Sequence, residues 1–134
     1  MKIAVIITRT LMGLGFVVFG LNIVHPFLPQ PPVPAGSLMA QFMAVMVPTH
    51  WMTLIGFVQL LGGLLLLLGG TAPLGLVMLG PVLVNILAFH MCIQGGKGIA
   101  PGLVFSVIEI FLVYAYRNYF RALFTVSASP NSGS

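Results

Sequence analysis

Gln59, Asn85 and Glu109 each lie inside a long apolar run, and all three fall at nearly one depth. Counted from the outer end of each run, the depth is about eight residues, or roughly 12 Å at the rise of an α-helix. Asn22 and His90 lie about two turns nearer the same surface. Two kinds of chemistry suit such a layer. Amide and carboxyl groups tie helices together at about 0.6 kcal/mol per interhelical hydrogen bond and fix their register. Alternatively they line a cavity, open to the outer side, that holds a quinone headgroup, another small lipophilic ligand, or protons. A quinone carbonyl needs donors such as His90, Asn85 or protonated Glu109 within an apolar slot. Glu109 is the one acidic residue of the chain. A carboxylate at a bilayer centre costs a few kcal/mol on insertion scales, so Glu109 is expected to face the interior, beside Asn85 or Gln59.

Other site chemistries are poorly served. One cysteine, Cys92, excludes an intrachain disulfide, a CxxCH haem attachment, a four-cysteine iron–sulfur cluster and a CxxC redox pair within the chain. Cys92 reads best as a small apolar filler near the outer end of its run. His25 and His50 flank a loop, where lone histidines are usually solvated, and no metal-ligand spacing accompanies them. The net charge is +4, but the five Lys and Arg are not clustered, so nucleic acid is not an expected partner. No cofactor-binding motif is present.

The elements that position these residues are membrane spans. The chain of 134 residues is 59% hydrophobic and only 4% charged, against about 25% charged for a soluble domain. Apolar runs at 3–24, 51–70, 73–93 and 102–120 are each about the 20 residues that a helix needs to cross a 30 Å hydrocarbon core. The expected fold is all-α, one transmembrane four-helix domain over 1–124, followed by a disordered tail at 125–134. With a cytoplasmic N-terminus, Lys2, Arg9, Arg117 and Arg121 fall inside and only Lys97 outside, which satisfies the positive-inside rule. Both termini are therefore expected to be cytoplasmic. The first run is read as an uncleaved span, because Arg9 interrupts a signal-like apolar stretch and can snorkel to the inner face.

The outer connection between the first two spans opens with a proline-rich spacer at 25–34. It continues into 37–47, which predicts a short helix capped by Ser37, lying at the outer surface or folded over the bundle mouth. Trp51 then occupies an interfacial position. The short turn at 69–73 makes the second and third spans antiparallel neighbours. Gly80 and Pro81 are expected to bend the third span. Gly13 and Gly20, Gly56 and Gly63, and Gly102 lie on helical stripes that allow close helix packing.

Several of these segments resemble the DoxX family of four-helix bacterial membrane proteins, over roughly 1–124. Arg9, Gly13, Phe16 and Gly20 are similar to its Arg-x-x-x-Gly-x-x-Phe-x-x-x-Gly pattern, and 56–64 resembles its second-span signature. Segments 80–90 and 114–120 look like the third span and closing segment of one subgroup, although many relatives carry Glu where this chain has Gln59. The resemblance implies a multi-pass protein of the bacterial cytoplasmic (inner) membrane, in contact with lipids and with other membrane subunits. The expected role is an accessory subunit of a larger respiratory or photosynthetic complex, not an enzyme by itself. The alternative is a quinone-interacting redox component of the thiosulfate:quinone oxidoreductase type, with quinone as its cofactor.

Overall fold

The computed structural model describes residues 1–131, which contain helices and no strand. In chain order the helices are α1 (Lys2–Val24), α2 (Leu38–Met46), α3 (Trp51–Leu68), α4 (Ala72–Ala88), α5 (Ala100–Ala115) and α6 (Arg117–Phe120). A π-helical turn, Phe89–Ile93, extends α4, and a 3-10 turn, Arg121–Phe124, extends α6. Helix α1, with 23 residues, α3, with 18, and α4 through its π turn, with 22, are long and apolar enough to cross a membrane.

The fourth apolar run departs from the straight span expected at 102–120. Helix α5 ends at Ala115 after 16 residues, and the chain then turns by 80° into the helical segment Arg117–Phe124. No glycine or proline marks the break. The turn folds Phe120 back into the core while Arg117, Asn118 and Arg121 stay exposed. Counted with the bent pair as one, the described residues hold up to four candidate spans. The tail expected at 125–134 has no regular structure over 125–131 and is exposed there. Residues 132–134 lie outside the described residues.

The long helices pack in a ring: α1 on α3, α3 on α4, α4 on α5, and α5 on α1. The α1–α3 contact is the closest because two glycine pairs face each other across it. A Cβ on Gly13 would lie 3.0 Å from the carbonyl oxygen of Gly63, and one on Gly63 would lie 2.8 Å from that of Gly13. Such approaches occur where backbones touch without intervening side chains. Gly102 sits against α4, where a Cβ would meet Ile86 at 3.1 Å.

Outward faces are apolar; Leu68, Val107 and Ile110 are all more than two-thirds exposed. Filling inside the ring is uneven along its length. Met12, Phe16, Leu66, Leu76, Leu79 and Leu112 are almost completely buried and pack one end solid. That end holds the α3–α4 turn. Here the Arg9 guanidinium donates through Nη1 to the carbonyl oxygen of Leu66 at 2.8 Å, in the last turn of α3. A cation at a helix C-terminus meets the negative end of the helix dipole. The opposite end, built from the start of α3 and the end of α4, is hollow.

Candidate functional site

Between α2, α3 and the distal half of α4 lies a cavity of about 730 Å³. Its lining is mostly apolar, with Phe42, Met46, Trp51, Ile55 and Phe89 among its walls. Three polar side chains reach it: Gln59 from α3, Asn85 from α4 and His90 from the π turn. The volume lies within the usual range for small-molecule sites, and an apolar slot with a few polar groups is their common form.

Each polar group is held differently. Gln59 is 4% exposed, and its amide makes no hydrogen bond within the chain among the described residues. Unlike the Glu109 Oε2, its amide atoms keep accessible surface, and so they open onto the cavity, where a polar group of a ligand can meet them. Asn85 is exposed and donates through Nδ2 to the carbonyl oxygen of Pro81, 2.9 Å away on its own helix. That bond ties its amide plane beside the proline turn and leaves Oδ1 free. His90 has its Nδ1 2.9 Å from the carbonyl oxygen of Lys97. Gly98, with φ +71°, lets the loop close on the ring; a Cβ there would lie 3.3 Å from Cε1 of His90.

Helix α2 forms the remaining wall. Ser37 caps it, its hydroxyl accepting from the backbone N–H of Ala40 at 3.1 Å, which satisfies one of the otherwise unpaired first-turn donors. Phe42 packs on Phe89 with ring centroids 5.0 Å apart. Gln94 donates to the sulfur of Met39 at 3.0 Å. These two contacts pin α2 to the π turn across a long stretch of sequence.

Not every residue of the expected polar layer reaches this place. The Asn22 Oδ1 accepts from the backbone N–H groups of Phe27 and Leu28, at 3.0 and 2.9 Å. It therefore orders the turn after α1 and does not line the cavity. Glu109 faces inward and is 9% exposed, yet it does not line the cavity, and no hydrogen bond joins it to Gln59 or Asn85. Its Oε1 lies beside α4, 3.5 Å from where a Cβ on Gly80 would stand, and its Oε2 has no hydrogen-bond partner among the described residues. The five expected polar residues thus divide into three at the cavity, one in a loop turn and one in the packed interior. Cys92 also lines the cavity and is exposed.

Sequence reasoning did not assign Phe42, Met43, Met46 or Trp51 to a site. Phe42, Met43 and Met46 share one side of α2, a readable signal, but the cavity exists only because α2 returns over α3, which begins at Trp51, and the π turn. Among the described residues no group of three or more His, Cys, Asp or Glu side chains is placed to hold a metal. No protein-family model, curated protein or solved structure matches the chain.

Proposed function

We propose that this chain is a four-pass protein of a bacterial inner membrane that holds a lipophilic, quinone-class ligand in the α2–α3–α4 cavity. It acts there as an accessory subunit of a larger respiratory or photosynthetic assembly, not as an enzyme by itself. The observation that carries this reading is Gln59, 4% exposed, its amide open to the cavity and joined to no other group among the described residues, on a wall otherwise mostly apolar. A polar headgroup satisfies the amide while an apolar body fills the rest.

The membrane part of the proposal draws on the length and apolar surface of α1, α3 and α4, with α5 and its bent continuation as the fourth pass. In it, the Arg9 end faces the cytoplasm together with both termini, and α2 lies at the outer interface over the cavity. The resemblance to DoxX proteins points toward the quinone class. The single cysteine points to the accessory role, since a thiol pair is absent from the chain and electrons must come from a partner.

Trp51 supplies the test. It is the only tryptophan and lines the cavity. Titration of the detergent-solubilised protein with an alkylated benzoquinone is expected to quench its fluorescence saturably, and Gln59→Leu to weaken binding about tenfold. Quenching that never saturates beyond that of free tryptophan in the same micelles refutes the ligand. Co-purification of other subunits without a bound ligand then favours a purely structural accessory role.

A further inference from the structure

We propose that the cavity selects a headgroup that donates a hydroxyl hydrogen, a phenol or hydroquinone, over one that presents only carbonyl or ether oxygens. The inference deepens the ligand reading above and rests on it. It starts from one bond. A backbone carbonyl oxygen has no hydrogen to give, so the 2.9 Å contact between His90 Nδ1 and the Lys97 oxygen requires the proton to be on Nδ1. In the neutral ring this leaves Nε2 as a bare acceptor.

The surroundings of the ring leave that acceptor free of the loop. The Nδ1–Cε1 edge faces the Lys97–Gly98 loop, since a Cβ on Gly98 would stand 3.3 Å from Cε1 and 3.4 Å from Nδ1. The Nε2–Cδ2 edge is the one left for the cavity that His90 lines. Asn85 tilts the balance the same way. One of its two amide hydrogens is committed to the Pro81 oxygen, while its Oδ1 keeps both lone pairs. Gln59 contributes donors and an acceptor. The polar wall is therefore richer in free acceptors than a carbonyl ligand needs. A hydroxyl meets both halves of it, donating to Nε2 of His90 and accepting from an amide of Gln59 or Asn85.

A para-alkylphenol and its methyl ether isolate this difference. The ether keeps the ring, the chain and the acceptor oxygen and lacks only the donor hydrogen. Their affinities for the full chain are to be measured by calorimetry, with both compounds dissolved in the same detergent micelles as the protein. The phenol is expected to bind about tenfold tighter, the value of one hydrogen bond made or missed in an apolar site. In His90→Phe, which keeps a ring beside Phe89, the ratio of phenol to ether affinity is expected to fall to about twofold or less.

Equal binding of phenol and ether by the native chain overturns the selection and leaves the cavity standing as a ligand site. A phenol preference that survives in His90→Phe overturns the role of His90. Saturable binding of neither compound overturns the ligand reading and this inference together. A second measurement bypasses the variant: the 15N shifts of the uncharged His90 ring must show the proton on Nδ1 and not on Nε2, and the reverse pattern overturns the assignment.

Discussion

Gly20 and Gly56 meet backbone to backbone: a Cβ on Gly20 would lie 2.8 Å from the Gly56 carbonyl oxygen, and one on Gly56 would lie 3.1 Å from that of Gly20. Gly13 and Gly63 repeat the relationship seven residues along each helix. Two such points define a line, so the pairs fix both the separation and the antiparallel register of α1 on α3. At Gly20 the three nearest atoms that a methyl group would strike are all main-chain atoms, of Gly56 and Leu60, which have no rotamer through which to yield.

Gly20→Ala is therefore expected to destabilise the protein by about 1–3 kcal/mol, the usual range for overpacking. Gly70→Ala serves as the control. No atom lies within 4 Å of a Cβ there, and its effect is expected to stay within about 0.5 kcal/mol. Denaturant titration in a mild detergent measures both; equal effects mean that the α1–α3 approach is looser than described.

Glu109 offers a prediction of opposite sign. Its Oε2 is buried without a partner among the described residues, so replacing the carboxyl with an apolar group of similar length removes an unmet demand for a hydrogen bond. Glu109→Met is expected to stabilise the protein by about 1–2 kcal/mol and to leave the cavity affinity unchanged. A comparable loss of stability in the same titration would show that the carboxyl finds a partner in the folded protein.

Arg9 spans two helices through its bond to the Leu66 oxygen. Arg9→Met keeps most of the apolar stem and removes the cap, at an expected cost of about 1–2 kcal/mol. Amide hydrogen exchange is expected to quicken at the α3–α4 turn and to stay unchanged in α2. Faster exchange throughout would point to a global role for this side chain.

Ser37→Ala removes the N-cap of α2 and is expected to cost that helix about 1 kcal/mol. None of the α2 residues is fully buried, so the helix has little else to hold it. Faster exchange within Leu38–Met46 and a several-fold loss of ligand affinity are expected together. Unchanged affinity would remove α2 from the working wall of the cavity.

Cys92 gives a chemical readout of occupancy. It is exposed and lines the cavity, so a maleimide is expected to label it readily. Saturating para-alkylphenol is expected to slow the labelling several-fold, whereas the same compound leaves the rate unchanged if it binds elsewhere.

The periodic features were the legible ones. Apolar runs at 3–24, 51–70 and 73–93 correspond closely to α1, α3 and α4 with its π turn, because length and hydropathy decide such helices locally. The glycine spacing pointed to the stripes that form close contacts. The bend after Ala115 was not legible, since no breaker residue marks it and the pull of Arg117 and Arg121 acts against the apolar character of Phe120 on the same segment. Depth along a helix placed Gln59, Asn85 and Glu109 in one layer, but depth says nothing about rotation around the ring. Rotation is what sends Glu109 toward Gly80 and Gln59 toward the cavity. Asn22 was claimed by the backbone of its own following turn, a local bond that outcompeted any interior role.

The π turn at Phe89–Ile93 amounts to one residue too many in a helix that is otherwise regular. Gln94 reaches back to the Phe89 oxygen across five residues, where an α-helix would use four. Deleting a single residue there would restore ordinary winding and swing all that follows by about 100°. Gln94 would leave Met39, and the Lys97 oxygen would leave His90. The pocket depends on that surplus residue as a lock depends on the offset of one pin, and a chain shortened by it would keep its helices while losing their shared interior wall.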